Sequence, residues 1–168
     1  MLHTFKGIKP TLGKDVFLVD SAEVIGDVVI GEQSSVWFNV VMRGDVNFIR
    51  IGARTNIQDG TVIHVTHELH PTYVGDDVTI GHNVTLHGCQ IGNRCLIGMG
   101  AVVMDGVTVA DDAMIAAGAL VTPGTHVPAG SLFAGSPARF KRDLSSTEIE
   151  YLKTSAENYL AYVAAYKD

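Results

Sequence analysis

From Leu12 onward, aliphatic residues recur every six positions: Leu12, Leu18, Val24, Ile30, Val36 and Met42. Three extra residues (Phe48, Ile49, Arg50) break the phase, which resumes at Ile51, Ile57 and Ile63. Five more are inserted between Thr66 and Tyr73 before Val74, Ile80 and Leu86 restore it. After one deletion it continues through Ile91, Ile97, Val103, Val109, Ile115, Val121, Val127 and Phe133. Four positions after each aliphatic residue stands a small or branched one, as at Ala22, Val28, Ser34, Thr55, Val84, Cys95, Ala101 and Ala119. Gly often follows the aliphatic residue directly, as at Gly31, Gly52, Gly75 and Gly92. A helix repeats every ~3.6 residues and a half-buried strand every two, so neither gives this pattern. Short strands with a corner every six residues do: the aliphatic side chain points inward, the small one fits at the corner, and Gly permits the tight backbone.

Three such hexads make a coil of about 18 residues. The pattern resembles the left-handed parallel β-helix, and the triangular section and the hand are what that resemblance implies. The expected fold class is therefore all-β, a left-handed parallel β-helix over about residues 10–137, with roughly six to seven coils and Leu2 to Pro10 covering one end. The repeat stops near Pro137. Ser145 and Glu148 then form a capping box, and Ile149, Leu152, Ala156, Tyr159, Leu160 and Val163 follow at helical spacing. This predicts a C-terminal α-helix over about 146–166 packed along one face of the prism, with residues 1–168 forming a single domain.

Composition narrows the possible roles. A net charge of -6 with no basic run argues against nucleic acid and anionic membrane as partners. No apolar stretch reaches the ~18 residues of a membrane span, and the first residues lack the layout of a secretion signal, so a cytoplasmic location is expected. Cys89 and Cys95 are then expected to be reduced core thiols.

The candidate chemistry lies between Ile63 and His87. With the three hexads of a coil named faces a, b and c and Ile51 starting a, both Ile63 and Leu86 start face c in successive coils. His64 and His87 are each second in a c hexad, so they stack about one rise of ~4.8 Å apart, close enough for two imidazoles to tilt toward one ion. Met42 starts a c hexad as well, which puts Arg43 below His64. His82 is third in the b hexad of Ile80 and lies on another face. One chain cannot easily bring all three together. A cyclic homotrimer in which b of one chain meets c of the next would form three sites, each with His64 and His87 from one chain and His82 from its neighbour. Three His ligands leave Zn²⁺ an open position, the catalytic arrangement.

Arg43-Gly44-Asp45, Asn56-Ile57-Gln58-Asp59, Ile63-His64 and the run from Gly81 to Cys89 resemble the gamma-class carbonic anhydrase family over about residues 10–165. The resemblance implies a homotrimer with metal at its interfaces, usually Zn²⁺ with Fe²⁺ or Co²⁺ as alternatives, and His64, His82 and His87 as ligands. It implies reversible hydration of CO₂ to bicarbonate by a metal-bound hydroxide. Gln58 would orient the hydroxide or bicarbonate, Asn56 would lie near the substrate, and Tyr159 matches a position whose hydroxyl lies near the metal. Arg43, Asp45 and Asp59 resemble the interface charge network. The phase agrees for Asp59, which is third in its b hexad, one coil below His82.

The chain also departs from the family. The founding type has Glu directly after Arg-Gly-Asp, where this chain has Val46, and carries a proton-shuttle Glu on an acidic loop. Here the corresponding insertion is short and holds His67, Glu68 and His70, so fast proton transfer lacks its usual group. Three other readings share the repeat: a metal-dependent acyl-CoA thioesterase or hydrolase, a CoA-dependent acyltransferase with a His base and no metal, and a non-catalytic trimeric scaffold.

Overall fold

The computed structural model describes residues 1–167 and is a parallel β-solenoid of about seven turns closed by one long helix. The six-residue phase maps directly onto the strand register. Face b stacks Leu18, Val36, Ile57, Ile80, Ile97, Ile115 and Phe133 in successive parallel rungs. Face c stacks Val24, Met42, Ile63, Leu86, Val103 and Val121. Face a stacks Leu12, Ile30, Ile51, Val74, Ile91, Val109 and Val127. From Val24 to Val127 these side chains are buried and fill the interior of the coil. Both cysteines are free and buried, as expected.

The corners show why small residues repeat there. Ser34 and Thr55 point inward and their hydroxyls donate to the carbonyls of Gly52 and Gly75, both at 2.7 Å, so each polar group is satisfied inside the core. Gly31 is required by close approach: a Cβ there would lie 2.4 Å from the carbonyl carbon of Gly52 in the next coil. The extra residues Phe48, Ile49 and Arg50 lie in an 11-residue strand, Val41–Ile51, that runs round the corner from face c to face a. The second insertion forms a loop pinned by a bridge between Thr66 and His70, with His67 and Glu68 exposed.

The ends of the solenoid are finished in different ways. Leu2–His3 adds a parallel strand beside Val24–Ile25, extending face c by one rung. At the other end the repeat stops at Ser131–Gly135, and the chain turns back through a cis Ser136–Pro137 peptide into the antiparallel strand Ala138–Asp143. The helix, α1, spans Ser146–Lys167. The amide of Ser145 donates to Glu148 at 2.9 Å and the amide of Glu148 donates to the Ser145 hydroxyl at 3.2 Å, completing the capping box. Leu152, Ala156 and Val163 are buried where α1 lies along face b, and Trp37 packs edge-on against Tyr159 and Tyr166. No helix among the described residues is long and apolar enough to cross a membrane.

Candidate metal centre

His64 and His87 are direct register partners on face c. Their ring centroids are 5.1 Å apart, and Nδ1 of His64 faces Nε2 of His87 at 3.1 Å. Each ring is held from behind by a carboxylate: Nε2 of His64 lies 3.1 Å from Asp45 Oδ1, and Nδ1 of His87 lies 3.0 Å from Asp105 Oδ1. A neutral imidazole has one N–H and one lone pair. With both N–H groups donated to the carboxylates, the two facing nitrogens are both acceptors. This tautomer leaves two lone pairs 3.1 Å apart that a single cation would bridge. Imidazoles backed by carboxylates form a donor set suited to a divalent metal, so the residues present fit such an ion.

The carboxylates are fixed in turn. Burial tends to raise the pKa of Asp45, but hydrogen bonds from Arg43, 2.5 Å away, and from His64 outweigh it and hold the carboxyl below its ordinary value. Asp105 is similar: burial raises it, and hydrogen bonds from the Thr66 hydroxyl and His87 bring it below the usual range. Arg43 and Asp45 thus meet beside His64, with Asp45 rather than Arg43 touching the ring.

His82 lies on face b. Successive amide-to-carbonyl bonds place Phe38, Asp59, His82, Met99 and Ala117 in one outer column. Nδ1 of His82 is 2.8 Å from Asp59 Oδ2, so this imidazole also has a carboxylate partner and one free nitrogen. Among the described residues no single-chain group of three or more His, Cys, Asp or Glu side chains is placed to hold a metal. The pair on face c and the single imidazole on face b are brought together by no contact within the chain.

Gln58, His82 and Tyr159 line one cavity between face b and α1. The Gln58 Nε2 donates to Asn56 Oδ1 at 3.1 Å, and Asn56 Nδ2 donates to the Thr79 hydroxyl at 3.0 Å and to the Val78 carbonyl. The Thr79 hydroxyl in turn meets that of Ser155 on α1 at 2.9 Å. Asn56 is buried and fully engaged behind Gln58, so it sets the orientation of the Gln58 amide instead of lining the cavity. Burial, reinforced by the charge of Asp59, pushes the Tyr159 hydroxyl up to about 12, so at neutral pH it is a donor. Sequence reasoning missed Asp105, Thr79 and Ser155. Asp105 is third in the c hexad of Val103, one coil above His87, a position the phase supplies without showing that the side chain reaches the ring.

Comparison with known proteins gives two kinds of relative. The family model described as bacterial transferase hexapeptide (six repeats) matches residues 88–123, and that described as the hexapeptide repeat of succinyl-transferase matches 71–104. Gamma carbonic anhydrase 2, mitochondrial, of Arabidopsis thaliana is 48% identical over 90% of this chain, which spans 56% of that longer protein. A probable carbonic anhydrase of Methanocaldococcus jannaschii is 47% identical over 90% of this chain and 93% of its own length. The crystal structure of a hexapeptide transferase family protein from Anaplasma phagocytophilum superposes with a TM-score of 0.95 at 44% identity, covering 99% of this chain and 98% of that one.

Proposed function

Because this chain belongs to the gamma-class carbonic anhydrase family of hexapeptide-repeat proteins, we propose that it catalyses the reversible hydration of CO₂ to bicarbonate at a metal centre shared between subunits of a homotrimer. The observation that carries this reading is the pair of inward-facing acceptor nitrogens on His64 and His87, each backed by a carboxylate. His82, with its own carboxylate partner on a different face, is the natural third ligand when contributed by the neighbouring subunit. Three imidazoles suit Zn²⁺, with Fe²⁺ or Co²⁺ as alternatives, and such an ion supplies the Lewis acidity that makes water a nucleophile near pH 7.

The chain's own residues have the remaining roles. Asp45, Asp105 and Asp59 orient the three rings and keep their far nitrogens protonated. Gln58, held by Asn56, presents its carbonyl oxygen to the cavity to accept a hydrogen bond from the nucleophile or from bicarbonate. The Tyr159 hydroxyl donates toward the same space. The outer column of face b supports the shared interface: exposed Phe38 and Met99 flank Asp59 and His82, an apolar–charged–apolar stripe suited to burial by a second copy. In this arrangement Arg43, beside Asp45 on face c, would face Asp59 of that copy.

The test is metal content of anaerobically purified protein paired with a CO₂ hydration assay. About one ion per chain is expected. His64→Ala should abolish both metal and hydration; a metal-free variant with full activity would overturn the reading. An acyltransferase using a His base would retain its activity without metal, so the same pair of measurements separates the two.

A further inference from the structure

The insertion between Thr66 and Tyr73 is built against the acceptor pair at both of its ends. His64 and His87 are each the last residue of a three-residue strand, Val62–His64 and Thr85–His87. The ladder therefore stops at the two imidazoles, and a ladder opens most easily at its ends. Here the hydroxyl of Thr72 closes it. That hydroxyl donates to the His64 carbonyl at 2.7 Å and accepts from the Gly88 amide at 3.0 Å. The same amide also donates to the His64 carbonyl at 3.2 Å. Three groups thus tie the rung of His64 to the rung of His87, one residue past the pair. The column that holds Thr72 is apolar and buried at Val28, Ile49, Cys89 and Val107. Valine would meet the packing requirement, so what Thr72 adds to this column is its two hydrogen bonds.

The other end of the loop acts from behind the ring. The Thr66 hydroxyl donates to Asp105 Oδ1, the same oxygen that takes the Nδ1–H of His87. Thr66 is itself anchored: Asn47 Nδ2 donates to its carbonyl at 3.1 Å, and its amide donates to the His70 carbonyl at 2.9 Å. The loop is seated on a glycine, because a Cβ on Gly88 would lie 2.3 Å from Asp105 Oδ1 and 2.7 Å from His70 Cβ. The backbone beside His87 is left bare, and the carboxylate and the loop occupy the space. The tip of the loop, His67 to Leu69, is exposed and takes no part in these contacts.

We propose that residues 66–72 are a positioning clip for the metal ligands. Thr72 fixes the separation of the two histidine rungs. Thr66 fixes the carboxylate that selects the His87 tautomer, so the pair is set before an ion arrives. The proposal rests on the metal-centre reading above. Neither threonine is a ligand; both act through His64, His87 and Asp105. Ligands held in place lose less freedom on binding, and outer supports of this kind carry about 10- to 100-fold in metal affinity.

Three measurements on single variants separate positioning from folding: Zn²⁺ affinity by chelator competition, the visible spectrum of the Co²⁺-loaded protein, and the thermal midpoint of the metal-free protein. Thr66→Val and Thr72→Val are each expected to weaken Zn²⁺ binding by about tenfold or more and to shift the Co²⁺ bands, which report ligand geometry. Thr66→Ser and Thr72→Ser keep the hydroxyl and should restore both. Thr55→Val is the control. Its hydroxyl makes the same kind of corner bond, to the Gly75 carbonyl and the Val78 amide, between faces a and b and away from the histidine pair. This variant should lower the thermal midpoint and leave Zn²⁺ affinity at the wild-type value. Thr66 is only half-buried, so Thr66→Val decides the question should Thr72→Val fail to assemble. Unchanged affinity in both valine variants, or an equal loss in Thr55→Val, would overturn the clip and leave the metal centre standing. Wild-type protein that binds no Zn²⁺ would overturn the metal centre and the clip with it.

Discussion

At the residue scale, the weight of the site falls on groups that touch no substrate. Asp105 shows this most clearly, because it alone holds Nδ1 of His87 and so leaves Nε2 as the free acceptor. Asp105→Asn keeps the size of the side chain but can present an amide N–H to the ring, which would favour the wrong tautomer. Outer carboxylates of this kind govern metal affinity by about 10- to 100-fold. Asp105→Asn is therefore expected to weaken metal binding by that factor in a chelator competition, with the thermal stability of the metal-free protein little changed. The faces of the three histidines were legible in the sequence because the six-residue phase assigns each one, whereas Gln58 was singled out only by the family resemblance. Asp105 was not singled out, because its role comes from a side chain crossing to the neighbouring coil, and the phase gives columns but not the reach of side chains between them. Packing adds a detail at Asn56 as well. Periodicity puts it beside Gln58, but only packing reveals that α1 and Thr79 cover it.

At the element scale, the coil and the helix depend on different local features. In the coil backbone packs directly against backbone at Gly31, and Gly31→Ala is expected to destabilise the protein by roughly 2 kcal/mol or more, read as a lowered midpoint in chemical unfolding. The helix depends on its first turn. Glu148 receives both guanidinium nitrogens of Arg142 at 2.8 Å as well as the amide of Ser145. The Arg142 contact first, then those of Ser145, bring its carboxyl from an ordinary 4.5 down to about 2. A depressed value in the folded state means that the unfolded chain takes up the proton more readily. The stabilisation is therefore complete above about pH 4.5 and is lost as pH falls toward 2. Glu148→Gln should lower the melting temperature at neutral pH, and the gap from wild type should close across that window in a pH series of thermal scans. This cap was readable from Ser145 and Glu148 alone. The antiparallel strand Ala138–Asp143 was not: four of its six residues are charged and five are exposed, so it carries no period to detect, and it exists because the last rung needs a partner.

At the scale of the whole molecule, the faces of the prism determine what one chain can do. The acceptor pair is on face c and the third imidazole is on face b, and a rigid solenoid cannot bend to join them. A second copy can, because a head-to-tail contact of b against c repeats round a closed ring. This geometry makes a prediction that no site within a single chain would share. His64→Ala removes one member of the face c pair and His82→Ala removes the face b ligand, so either variant assembled alone should hold no metal. In mixed trimers, a site is intact wherever a chain with its face c pair undamaged meets a chain that still has His82. Random co-assembly at equal ratio makes about one site in four intact. Metal analysis of co-expressed trimers carrying both variants should therefore recover about a quarter of the wild-type content, with CO₂ hydration returning in the same proportion. Recovery of neither would mean that the three imidazoles never meet across an interface, and metal retained by a pure His82→Ala trimer would mean that the face c pair holds it unaided.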